Sequence, residues 1–143
     1  MANTVDCASV DIRGILPHGE DFRMVDRLLS WSLEVTETEL LIAEGNCFVS
    51  DGRFSVGGLV ENMAQTSAAR IGYYYRYVLN KPISIGFIGA LQNIRICRLP
   101  ETGEVIRTRI EVKAEAFGMV SFDARITDGN GGLIAEGQMK TAL

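Results

Sequence analysis

The chain has 143 residues, 47% of them hydrophobic, and a formal net charge of −4. That is the size of one ordinary domain with enough apolar material for a real core, so a single domain over residues 1–143 is expected. The acidic balance argues against nucleic acid as the main partner, which would call for a basic excess on one face, and no apolar run approaches the eighteen or so residues that a membrane span needs.

The opening MANTVDCASV shows no periodicity, and residues 1–10 read as a flexible tail. It contains no leader-like apolar stretch, and Cys7, Cys47 and Cys97 are an odd number without metal-type spacing. These features predict a reducing, cytoplasmic setting and neither a metal nor another cofactor. In VDIRGILPHGEDF, Ile12, Ile15 and Leu16 have the spacing of a short helix face, which Pro17 must end. Next, Trp31, Leu33 and Val35 alternate with Ser32, Glu34 and Thr36, which predicts two strands joined by a turn near Glu37 and Thr38. CFVSDGRF predicts a turn or loop bent at Asp51 and Gly52.

From residue 55 to 79 the chain reads SVGGLVENMAQTSAARIGYYYRYVL, without proline and with apolar side chains at Leu59, Met63, Ala64, Ile71, Val78 and Leu79. This predicts one long buried helix, roughly 37 Å long at about 1.5 Å per residue, stopped by Asn80, Lys81 and Pro82. Glu61 stands near its start between Val60 and Met63. A carboxylate in so apolar a setting either has a polar partner or does chemistry.

Four strand-like runs follow: ISIGFIGALQNIRIC, EVIRTRIEVKAEAF, MVSFDARITD and GLIAEGQMKTAL, separated by turn signals at 100–103, Gly118 and 128–132. In the second run Val105, Arg107, Arg109 and Glu111 alternate with Ile106, Thr108, Ile110 and Val112. One long helix wrapped by a curved, mostly antiparallel sheet, an α+β arrangement, is the economical packing of this inventory.

The chain also resembles a known family. ILPHGEDFRMVDRLL is similar to the LPHRxPFLLVDR opening of the 3-hydroxyacyl-(acyl carrier protein) dehydratases, and LVENMAQ to the L-I-x-E-A-M-A-Q of their central helix. IGALQNIRICRLPETGEVI resembles the segment ending in R-F-x-x-P-V-x-P-G-D, and GLIAEGQMK resembles the closing strand. The four stretches keep the family's order from about Val10 onward. The resemblance implies a hot-dog fold. It also implies elimination of water from a 3-hydroxyacyl thioester, linked to acyl carrier protein or coenzyme A, in fatty acid or polyene-type lipid biosynthesis.

Such a reaction needs a base for the proton beside the thioester carbonyl, an acid for the departing hydroxyl and donors for the enolate-like oxygen. Glu61 matches the family's helix carboxylate, the acid. The backbone around Ser55, Val56 and Gly57 matches the helix start whose N–H groups polarise the carbonyl. The family's base is a histidine in a G-H-F-P loop motif, where this chain reads NCFVSDGRFS. Its single histidine, His18, lies in the N-terminal PH motif and is taken as the base, with Asp51 as a second carboxylate candidate. Asn62 and Gln65 are placed to satisfy backbone groups near the helix or to bind a substrate carbonyl.

Arg70, Arg95 and Arg98, with Arg76 and Lys81, offer local positive charge for docking an acidic carrier. Tyr73, Tyr74, Tyr75 and Tyr77 read as amphipathic covering or a subunit contact. Hot-dog domains pair their sheets with the acyl tunnel at the subunit boundary. A homodimer or larger assembly is therefore expected, with Ile83, Ile85, Phe87 and Ile88 on the pairing edge. Two other functions fit the same residues: an inactive hot-dog subunit that binds acyl carrier or pairs with an active dehydratase, and an acyl thioesterase in which Glu61 activates water.

Overall fold

The strand alternation read in the second run is seen in a computed structural model, which describes residues 7–83 and 87–142. Strands β1 (Arg27–Trp31) and β2 (Val35–Leu41) come first, then a short hairpin of β3 (Val49–Ser50) and β4 (Arg53–Phe54), then helix α1 (Val56–Tyr73). The chain returns through β5 (Phe87–Ile96), β6 (Val105–Ala116), β7 (Met119–Thr127) and β8 (Leu133–Ala142). All strands but the β3–β4 pair form one antiparallel sheet in the order β1-β2-β6-β7-β8-β5. One long helix against a curved antiparallel sheet is the hot-dog fold.

Along β6, Ile106, Thr108 and Ile110 are buried while Val105, Arg107 and Arg109 are exposed. Period-2 alternation thus assigns one face to α1 and the other to solvent. Leu59 and Met63 of α1 meet Ile106, Ile110, Phe122, Ile126 and Met139 in the main core. Burying each of these side chains contributes roughly 1.5–3 kcal/mol. A second cluster of Ile15, Leu16, Val25, Leu28, Ala69 and Tyr73 packs at the other end of the helix. There the N-terminal segment crosses α1 so closely that a Cβ on Gly72 would fall 2.0 Å from the Ile15 carbonyl oxygen. At the near end, Gly58 leaves room for the rings of the β3–β4 hairpin, since a Cβ would meet Phe54 at 2.6 Å.

Several expectations change. The β1–β2 turn lies at Leu33 and Glu34, not at Glu37 and Thr38, which sit in mid-strand with Thr38 buried. Ser32 closes that turn, its backbone N–H donating to Val35 O and its hydroxyl oxygen accepting from Val35 N. β-Branched Thr36 and Thr38 suit the strand. CFVSDGRF is not irregular but holds the β3–β4 hairpin, whose turn residues Asp51 and Gly52 both have positive φ (54° and 75°), as the commonest two-residue hairpin turns require. The expected short helix before Pro17 is a three-residue 3₁₀ turn, Ile12–Gly14, capped by Asp11. Of the expected tail, residues 1–6 lie outside the description, but Cys7–Ser9 form a turn and Val10 is buried.

The long helix runs to Leu79 as expected, its last stretch Tyr74–Leu79 winding as π-helix before Asn80 turns left-handed. Among the described residues, no helix is long and apolar enough to cross a membrane. β5 lies at the sheet's border, where the pairing edge was expected; Ile85 is outside the described residues.

Candidate active site

Ser55 caps α1, its hydroxyl accepting from Gly58 N at 3.2 Å. The N–H groups of Val56 and Gly57 have no partner among the described residues and keep the donor capacity of an uncapped first turn. Gly57 and Glu61 are four residues apart and share a helix face. Around them Val56 is 46% exposed, and Val60, Ala64, Ala68 and Ile71 are half-buried. This stripe is the part of α1 that the sheet leaves uncovered. It is apolar apart from Glu61.

Glu61 is half-buried, and its Oε1 accepts from Gln65 Nε2 at 3.0 Å. The same amide nitrogen donates to Phe22 O at 2.7 Å, and Gln65 Oε1 accepts from Met24 N at 2.6 Å. Both amide hydrogens of Gln65 are therefore engaged. Asn62 completes the grip: its Nδ2 donates to Met24 O at 2.6 Å, and its Oδ1 accepts from the Thr108 hydroxyl. Thr66 donates to Asn62 O at 2.9 Å and pairs with Thr38 at 2.8 Å. Thus two helix amides three residues apart read the backbone of residues 22–24 as a neighbouring strand would. Of the two expectations for Asn62 and Gln65, the bonds to backbone groups are present.

The network also ties down the segment that carries His18. His18 is half-buried, with Nδ1 buried and unpartnered among the described residues. It stands four positions before Phe22, so its Cα lies within about 14 Å of the Phe22 Cα. Asp51 sits exposed in the hairpin turn.

The expected docking arginines are engaged elsewhere. Arg70 is only 8% exposed, and its Nε and Nη2 donate to Leu33 O at 3.0 and 2.9 Å. Burial lowers its pKa below the ordinary guanidinium value. It fastens the β1–β2 turn to α1 and offers a carrier no surface. Arg98 binds Glu104 and Asp128 at 2.7 and 2.9 Å. Arg95 pairs with Glu136 at 2.5 Å on the sheet face turned away from α1, so the sheet lies between it and the helix that carries Glu61. Of the tyrosines, Tyr73 is buried and stacks on Trp31 at 4.6 Å.

The inward-facing threonines Thr38 and Thr108 escaped attention in the sequence. Their signal was polar residues at core-facing strand positions, which need a partner when buried.

A model of the ApeP-like family, described as ApeP dehydratase, matches residues 10–142. No curated protein matches the chain. Among solved structures, the dehydratase heterocomplex ApeI:P from Xenorhabdus doucetiae is similar at 16% identity with a TM-score of 0.84, covering 93% of this chain and 90% of that one. The PaaI protein of E. coli, from the phenylacetic acid degradation operon, is similar at 12% identity, TM-score 0.63 and 81% coverage of both. Zebra fish thioesterase superfamily member 2 is similar at 20% identity and TM-score 0.65, covering 82% and 80%.

Proposed function

Because the chain belongs to the ApeP-like dehydratase family, we propose that it eliminates water from a 3-hydroxyacyl thioester carried on acyl carrier protein or coenzyme A. The observation that carries this is Glu61, the polar group on the otherwise apolar uncovered stripe of α1, oriented by Gln65 and one turn from the open N–H groups of Val56 and Gly57. In this reading the His18 imidazole takes the C2 proton. The C3–O bond then breaks, and Glu61 delivers a proton so that water leaves. The N–H groups at the helix start hold the negative charge on the thioester oxygen. The Nδ1 of His18, without a partner among the described residues, is not committed to another group, which is compatible with that role. The apolar stripe would receive the acyl chain and a second subunit, and the bordering strand β5 offers that subunit a free sheet edge.

Incubation with a 3-hydroxyacyl thioester should yield the trans-2-enoyl product, and Glu61→Gln should abolish it. Unchanged turnover in that variant overturns the assignment of Glu61. A second reading is supported by the NCFVSDGRFS loop, which lacks histidine, and by the similar structure's being a heterocomplex. Here the chain completes the site of a dissimilar, active hot-dog subunit. It predicts no product from this chain alone and product once the partner is added. Release of free thiol instead of enoyl product identifies a thioesterase. The exposed thiols of Cys47 and Cys97 support a reducing, cytoplasmic setting.

A further inference from the structure

The sheet face turned away from α1 carries two concavities, and neither touches Glu61. The larger, about 600 Å³, is lined by Asn93, Arg95, Arg109, Arg125, Glu136 and Gln138, with Glu111 and Asp123 at one end. The smaller, about 150 Å³, shares Asp123 and Gln138 with it and adds Lys113 and Lys140. Together they form one trough with five cationic side chains and three carboxylates, on a chain whose net charge is −4.

Strand register explains the pattern. Glu37, Arg109, Arg125, Glu136 and Arg95 follow one another straight across β2, β6, β7, β8 and β5. Arg109 and Arg125 are therefore directly opposed, an arrangement that destabilises a sheet unless a counter-charge lies between. Glu136 serves Arg95 and, at 3.4 Å, Arg125. Arg109 has no carboxylate within ion-pair distance among the described residues; its neighbour Glu37 accepts from the Ser30 hydroxyl instead. Lys113 answers the carboxylates of Glu111 and Asp123, which keeps the acidic end separate.

A second feature shapes the same place. Asn93 has φ 53°, within a register shift between Gln92 and Arg95. Such a bulge redirects side chains. It brings the Asn93 amide onto Gln138 Oε1 at 2.8 Å and Arg95 into the row. Across from it Gly137 gives room to Ile94, whose Cδ1 would lie 2.1 Å from a Cβ at that position.

We propose that this trough is a binding site for a phosphorylated small molecule. One phosphoryl group would lie between the opposed guanidiniums of Arg109 and Arg125, with Asn93 and Arg95 taking a further polar group. Paired guanidinium forks match phosphate geometry, and the volume is that of small-ligand sites. The site is independent of the thioester chemistry, because it lies on the opposite face of the sheet.

Calorimetric titration of the intact protein at low salt, with inorganic pyrophosphate and separately with adenosine 3′,5′-bisphosphate, tests it. Saturable binding is expected, and Arg109→Ala or Arg125→Ala should weaken it at least about tenfold. Arg109→Lys should weaken it too, since an ammonium cannot replace the fork. Arg107→Ala, on the same face but outside the trough, should leave it unchanged. Equal affinity for both probes identifies a site for phosphate itself. Preference for the nucleotide, weakened by Asn93→Ala, identifies a site for a phosphorylated nucleoside. All four side chains are exposed, and an unchanged thermal midpoint verifies that each variant folds. Absence of saturable binding to either probe overturns the proposal, as does an Arg107→Ala loss equal to that of Arg109→Ala. Capture of an acidic protein on this face without binding of either probe overturns it as well.

Discussion

The two ends of α1 are built on opposite plans. At the C-terminal end Gly72 lies under the Ile15 carbonyl, Tyr73 stacks on Trp31, and Trp31 Nε1 donates to Arg70 O at 3.0 Å. There the N-terminal segment and β1 close tightly over one side of the helix, while Ala68 and Ile71 continue the half-buried stripe. At the N-terminal end Val56 and Gly57 are exposed, and Glu61 is held by one amide above an apolar stripe. Close packing at one end anchors the helix, which leaves the other end open to a ligand without loss of register.

Exchanging small residues between the ends breaks the comparison most sharply. Gly72→Ala drives a methyl into backbone that cannot swing aside, and a loss of about 3 kcal/mol is expected in denaturant unfolding. Gly57→Ala has its nearest neighbour at 3.7 Å, the Phe48 ring, and should be neutral or stabilise by up to about 1 kcal/mol. Near-equal values would refute the asymmetry.

Next in size is Asn62→Ala, which orphans Met24 O and the Thr108 hydroxyl and should destabilise by about 1–3 kcal/mol. It should also raise hydrogen exchange across residues 22–24, whereas Thr66→Val should spare them. Glu61→Gln comes third. Its effect on stability should stay within about 0.5 kcal/mol, while turnover of the hydroxyacyl thioester disappears.

The smallest effect lies in pH dependence. The Arg98 guanidinium, then the Gly132 and Asn130 N–H groups, hold the Asp128 carboxyl below its ordinary value, and Arg98 does the same for Glu104. Folded values below the unfolded ones mean stabilisation that is present above about pH 4 and fades as pH falls through the lowered folded values. Arg98→Met should flatten the acid limb of the melting curve and leave the neutral plateau only slightly lower. An unchanged acid limb would show that Arg98 does not govern it.

Much of this was readable in the residues. The alternation of β6, the uninterrupted run of α1 and the motif around Glu61 are local patterns, and local patterns survive into the fold. The failures share one cause. Trp31, Leu33 and Val35 alternate as a strand does, yet Leu33 is 50% exposed in a turn, because Ser32 closes hydrogen bonds that spacing does not reveal. Arg70 looked like a surface cation because its acceptor, the Leu33 carbonyl, comes within reach only once that turn has formed. The backbone partners of Gln65 are hidden from the sequence for the same reason: they lie more than forty positions away in the chain.

The strand order has a consequence for biogenesis. Among the described residues β5 has one neighbour, β8, and β8 also closes against β7. The segment made last among these therefore stitches in one made roughly forty residues before. Until it leaves the ribosome, β5 waits as a bare ribbon while β6 and β7 can already zip together as a hairpin. Chaperones or a sister subunit arriving early would find that ribbon first, and slow translation just before residue 133 would lengthen the window in which nascent chains stick to one another.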